Sequence, residues 1–95
     1  MNEDLLMKAR RGDKTAQFQL GCYHYYNAPV KNAGEAVKRY LKSAKRGYAP
    51  AQHNLGYCYL WGDGLKTDRK NAAKWLHKAA RQSFESSIRL METLV

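Results

Sequence analysis

Three histidines and two cysteines are the side chains here with the widest chemical reach, and their spacing decides what they can do together. His24, His53 and His77 fall in separate segments, and none stands in an H-E-x-x-H arrangement, which would put two imidazoles and a general base on one helical face. Cys22 and Cys58 show no C-x-x-C spacing, so neither a zinc site nor a dithiol redox pair is expected. Cys22 and His24 are two residues apart and point to nearly opposite sides of a helix, which removes a thiolate–imidazole pair. Gly62-Asp63-Gly64-Leu65-Lys66-Thr67 places a Lys-Thr pair after glycines, but the spacing and the preceding strand of a phosphate-binding loop are both missing. That segment reads as a turn between helices. No catalytic residue, no metal site and no cofactor is expected, and the chain reads as a non-enzyme.

What remains is chemistry that binds. Seventeen Lys and Arg against eight Asp and Glu give a formal charge of +9 over 95 residues, a surplus that favours acidic partners. Hydrophobic residues at 44% and aromatics at 12% lie outside the disordered range, and the length suits one small domain. Apolar stretches are far shorter than a membrane span, so no membrane association is expected. The first residues are acidic and carry no long apolar run, so a secretory leader is not expected. A reducing, cytoplasmic location is the default for such a chain.

A repeat positions these residues. Ala16-Gln17-x-x-Leu20-Gly21 returns thirty-five residues later as Ala51-Gln52-x-x-Leu55-Gly56. The run from Glu35 to Ala44 returns after thirty-six residues as the run from Asn71 to Ala80. Leu5 to Gly12 matches Tyr40 to Gly47, while Ser87, Met91 and Val95 fall where Ala51, Leu55 and Tyr59 fall. The chain thus divides into a half repeat (1–12), repeat one (13–47), repeat two (48–83) and a capping half (84–95). Each repeat reads as two helices. Ala51, Leu55 and Tyr59 make one apolar line, and Ala72, Trp75, Leu76, Ala79 and Ala80 follow the spacing of a buried stripe. Gly21 and Gly56 sit mid-helix at a cost of about 1 kcal/mol relative to Ala, tolerable where backbones approach closely, with Ala44 and Ala80 as the expected facing surface. Gly62 and Gly64 suit positive φ, and Thr67 or Asp68 can cap the following helix.

Ala51, Leu55, Gly56, Tyr59, Gly62, Gly64, Leu65, Asp68, Ala72, Trp75, Lys78, Ala79 and Ala80 together resemble the pattern of the Sel-one-like repeat, an α/α branch related to tetratricopeptide (TPR) repeats. The resemblance covers nearly the whole chain. It implies an all-α fold, a short right-handed α/α solenoid of about six helices. Repeat one departs from the pattern, with Asn27 and Pro29 for glycines, His24 in the Tyr place and Arg39 in the Trp place, so its inter-helix turn must differ. Glu92 stands where the close-packing Gly would be, so nothing is expected to stack beyond the last helix. Secreted members of the family commonly pair cysteines within a repeat. Cys22 and Cys58 are not so placed, which favours free thiols and an intracellular chain.

By the same resemblance, Phe18, Cys22, Tyr25 and Tyr26 in one repeat and His53, Tyr57, Leu60 and Trp61 in the next line a concave groove. Tyr and Trp are the residue types enriched at binding hot spots, although packing between repeats is the competing role, for Phe18 and Leu60 above all. On the second helices Lys38, Lys42 and Lys45 form a stripe that Lys74, Lys78 and Arg81 repeat alongside, and Arg10, Arg11 and Arg46 extend it. Such lysines are ordinarily solvated, yet no acid is expected to relieve this stripe. The expected function is a non-catalytic protein-interaction module: an adaptor, inhibitor or immunity-type protein of bacterial or phage kind. Its protein partner would carry an acidic patch, steered by the basic face toward the groove. The alternative is a nucleic-acid-binding protein that grips phosphates with the basic stripe. A monomer or a weak dimer through an end helix fits either reading.

Overall fold

A computed structural model describes residues 3–94. Three helix starts are fixed by side-chain caps: Asp13 accepts from the Ala16 amide at 3.0 Å, Asn32 from Glu35 at 3.0 Å and Asp68 from Asn71 at 3.1 Å. A fourth start carries Pro50 in its first turn, where the missing amide costs nothing. The resulting order is α1 (Glu3–Arg10), α2 (Lys14–Cys22), α3 (Ala33–Lys45), α4 (Ala49–Trp61), α5 (Arg69–Ala80) and α6 (Glu85–Leu94). Each helix packs on the next along the chain, giving an all-α, TPR-like solenoid with no strand among the described residues. No helix there is long and apolar enough to cross a membrane.

The repeat is visible in what each helix buries. Ala16, Gln17, Leu20 and Gly21 of α2 are buried, as are Ala51, Gln52, Leu55 and Gly56 of α4. Facing them are Ala36 and Tyr40 of α3 and Ala72 and Leu76 of α5. The glycines do permit close approach, but against other partners than expected. A Cβ on Gly21 would lie 2.6 Å from the Tyr40 ring, and one on Gly56 would lie 2.7 Å from Leu76 Cγ. Each glycine is a notch that receives a large side chain, one turn before Ala44 or Ala80.

The turn of repeat one differs as its sequence demands. Gly62 closes α4 in the left-handed region with φ 67°, and Gly64 follows at φ 83°. Asn27 keeps a negative φ, and α2 instead widens into a π-helical turn, Tyr23–Asn27. Both connections nonetheless close with equivalent bonds. The Ala28 amide donates to Tyr23 O and Asn32 to His24 O, as Asp63 does to Cys58 O and Asp68 to Tyr59 O, all at 2.7–2.9 Å. In α6, Ser87 is fully buried like Ala51, and Glu92 is exposed. The expected match of Val95 to Tyr59, like the leader argument at Met1 and Asn2, lies outside the described residues.

Candidate functional site

The π-helical turn, α3 and α4 enclose a depression of about 380 Å³ lined by Tyr25, Tyr26, Tyr40, His53, Asn54, Tyr57 and Cys58. No Lys, Arg, Asp or Glu lines it. Tyr26 is 68% exposed and Tyr57 43%, and Trp61, 60% exposed, meets Tyr57 edge to face at 6.2 Å between centroids. Tyr25 is held in place: its hydroxyl donates to Asp63, whose carboxylate also accepts from Lys31 Nζ at 3.2 Å, and that ammonium lies 4.2 Å from the Tyr25 ring centre. Donation to Asp63, with burial second, drives the Tyr25 phenol well above its usual range, and the same bond holds the Asp63 carboxyl low. The Gly62–Gly64 turn, read from sequence as a mere connector, therefore also anchors an aromatic wall from the preceding repeat.

Of the eight groove residues expected from sequence, Tyr25, Tyr26, His53 and Tyr57 meet in the depression, and Trp61 extends it through Tyr57. Three are placed elsewhere. Leu60 is only 8% exposed, because it continues the buried line Gln52–Gly56–Leu60 and not the line through His53 and Tyr57. Phe18 is half-buried between the rings of Tyr40 and Tyr48, at 5.8 and 5.4 Å. Cys22 packs against the core and accepts from the Tyr40 hydroxyl at 3.7 Å. Tyr40, Asn54 and Cys58 line the depression without having been expected there. Asn54 was legible, since 54, 57 and 58 share one side of a helix, whereas Tyr40 lies on the opposing helix and reaches in across the Gly21 notch.

The reactive groups are muted. Burial raises the Cys22 thiol and pushes the Cys58 thiol up to about 11, so neither is a ready thiolate, and both are free. Burial lowers the His53 imidazole, whose Nδ1 lies 2.8 Å from Ser87 Oγ and whose ring tilts against Phe84 at 5.4 Å. Among the described residues no group of three or more His, Cys, Asp or Glu is placed to hold a metal ion.

All nine expected basic-face residues are exposed, but they form two different surfaces. Lys74 and Lys78 extend over the Trp75 ring at 5.4 and 5.5 Å, with Arg81 at the end of α5. Arg10, Arg11, Lys42, Lys45 and Arg46 instead share a depression of about 600 Å³ with Arg39, a residue not expected there. Lys38 lies along a smaller hollow on α3, of about 320 Å³, that Lys42 and Lys45 also line. Nor is the stripe free of acid. Glu35 pairs with Arg39 at 3.2 Å and reaches Lys38 at 4.0 Å, because i, i+3 and i+4 neighbours share a helical face.

Fold and site define the class first: an α/α repeat protein with an uncharged aromatic groove and a separate cationic hollow. The Sel1 repeat pattern matches residues 14–48 and 49–84, and the chain belongs to that family, whose repeats mediate protein–protein interaction. It is 35% identical over 75 residues to the chitin synthase regulator SKT5 of Saccharomyces cerevisiae, covering 76% of this chain and 11% of that protein. It is 46% identical over 50 residues to DAP3-binding cell death enhancer 1 of Rattus norvegicus, covering 52% and 10%. The chain thus spans about a tenth of these relatives. Among solved structures, a Sel1 repeat protein from Oxalobacter formigenes superposes with TM-score 0.91 and 30% identity, over 96% of this chain and 27% of that one. A protective antigen of uropathogenic Escherichia coli with an SLR fold gives TM-score 0.83 and 33% identity, over 87% and 18%.

Proposed function

We propose that the chain is a non-catalytic docking module, of adaptor or inhibitor type, that holds one protein partner in the aromatic groove between the π-helical turn and α4. The observation that carries this reading is the Tyr57–Trp61 pair with Tyr26: large aromatic side chains left to solvent beside a depression whose neighbouring core is already filled. Such side chains bury much area at low entropic cost, which suits them as anchors. A lining without charge favours selection by shape and aromatic contact, while the surrounding surplus of cations speeds encounter with an acidic partner. One relative is named a regulator and another a binding protein, roles exercised through partners.

The test is affinity capture from the native host, with and without nuclease, comparing the wild type with Tyr57→Ala/Trp61→Ala. The variant is expected to lose the captured protein while keeping its helical content and cooperative melting, and nuclease is expected to change nothing. A variant that unfolds would show these residues to be core and end the groove reading. Capture that nuclease abolishes would transfer the function to nucleic acid.

A further inference from the structure

Arg39 holds in repeat one the place that Trp75 holds in repeat two. Trp75 is only 8% exposed and belongs to the buried cluster that holds Ala36, Tyr40 and Ala44 of the preceding α3 with Ala51, Leu55 and Cys58 of α4, so its indole plugs the core at that place. The matching place, a wedge between the end of α1 and α3, has no plug. It is the hollow of about 600 Å³ around which Arg10, Arg11, Arg39, Lys42, Lys45 and Arg46 converge from the α1–α2 turn and from α3. Six cations line it and no carboxylate does; Glu35 engages Arg39 and Asp13 caps α2, both without lining the hollow.

The wedge also contains an unanswered acceptor. Gln17, 5% exposed, donates Nε2–H to Ala9 O at 3.2 Å, but its Oε1 has no partner among the described residues. Its repeat mate Gln52 makes the same bond to Ala44 O at 3.1 Å, and there Oε1 accepts from Gln82 Nε2 at 2.9 Å. Arg46 stands in the place of Gln82, and its guanidinium lies against Gly12 instead.

We propose that this wedge docks an acidic segment of the protein partner, with two or more clustered Asp or Glu carboxylates seated on its guanidinium groups. The proposal rests on the reading of the chain as a protein-docking module and adds a second contact to it. Four of the six cations are Arg, whose planar fork matches a carboxylate through two parallel hydrogen bonds. No aromatic side chain lines the hollow, so a single-stranded nucleic acid finds no platform on which to stack its bases.

The probes are a fluorescent hepta-glutamate peptide, a Gly-Ser peptide of equal length, and single- and double-stranded oligonucleotides of matched charge, titrated at about 50 and 250 mM salt. The acidic peptide is expected to bind more tightly than every other probe. Arg39→Trp restores the plug of repeat two and is expected to keep the melting temperature while weakening the peptide about tenfold, near 1.4 kcal/mol. Arg39→Gln/Arg46→Gln, which leaves the wedge open, should weaken it at least as much. Lys74→Gln/Lys78→Gln removes the same charge elsewhere and should leave affinity within about twofold, since a general field effect is weak at the higher salt. Tyr57→Ala/Trp61→Ala should leave it unchanged, so failure of the wedge and failure of the groove are read separately. Equal loss in the Lys74/Lys78 variant, unchanged affinity in both Arg39 variants, or tighter binding of an oligonucleotide would each overturn the proposal.

Discussion

Leu60 and Trp61 are neighbours in the chain and opposites in the fold. Leu60 continues a buried line with Gln52 and Gly56, and one helical step of about 100° carries Trp61 out to solvent beside Tyr57. The family resemblance placed both in the groove, and spacing did not separate them, because residues at the edge of a helical face belong to either side until a packing partner is known. His53 sits on such an edge, part groove wall and part core, bonded to Ser87 of α6. Burial lowers its pKa below the unfolded value of about 6.5. Well above that value neither state is protonated and stability is full. As pH falls through it, the unfolded chain takes up the proton first and stability declines until the folded value is passed. The urea midpoint is therefore expected to drop between about pH 7.5 and 5.5, and His53→Gln should show a smaller drop; identical pH slopes would refute the assignment.

At the scale of elements, the period of the sequence made the helices and their pairing legible, because Ala, Leu and Gly recur where α2 and α4 bury them. Two features were not legible. The glycines at 21 and 56 announced a close approach, but only the structure shows that the approach is made by Tyr40 and Leu76. The loss of glycine at 27 told which turn could not form and not that a π-helical turn would replace it and carry Tyr25 and Tyr26 to the groove. Gly56→Ala tests the notch. The added methyl gains about 1 kcal/mol of helix propensity but forces Leu76 and the Ala72 carbonyl apart, an overpacking cost of about 1–3 kcal/mol. A net destabilisation of up to about 2 kcal/mol is expected from chemical denaturation, and a variant more stable than the wild type would show that the interface yields freely.

As a whole molecule the chain is a short stack measuring 42 × 26 × 17 Å. Its accessible surface of 5955 Å² exceeds the roughly 5,600 Å² of a compact protein of its mass, as expected when each helix pair packs only against its neighbours. That extra surface is divided by charge. The groove on the π-helical turn and α4 has no charged lining residue, while six Arg and Lys line the wedge on α1 and α3, among them Arg39 in the place that Trp75 holds one repeat later. The basic stripes were legible in the sequence, but their separation was not, since it depends on which lysines rest on Trp75 and which converge on the wedge. The central claim is that the groove makes the main contact with the partner, to which the wedge on α1 and α3 adds a second. Its most direct test places a photocrosslinking benzoylphenylalanine at Tyr57 or at the exposed Ala73 of α5 and irradiates the native host. A nuclease-resistant protein adduct from position 57, absent from position 73, is the expected result; an adduct from position 73 alone would contradict it.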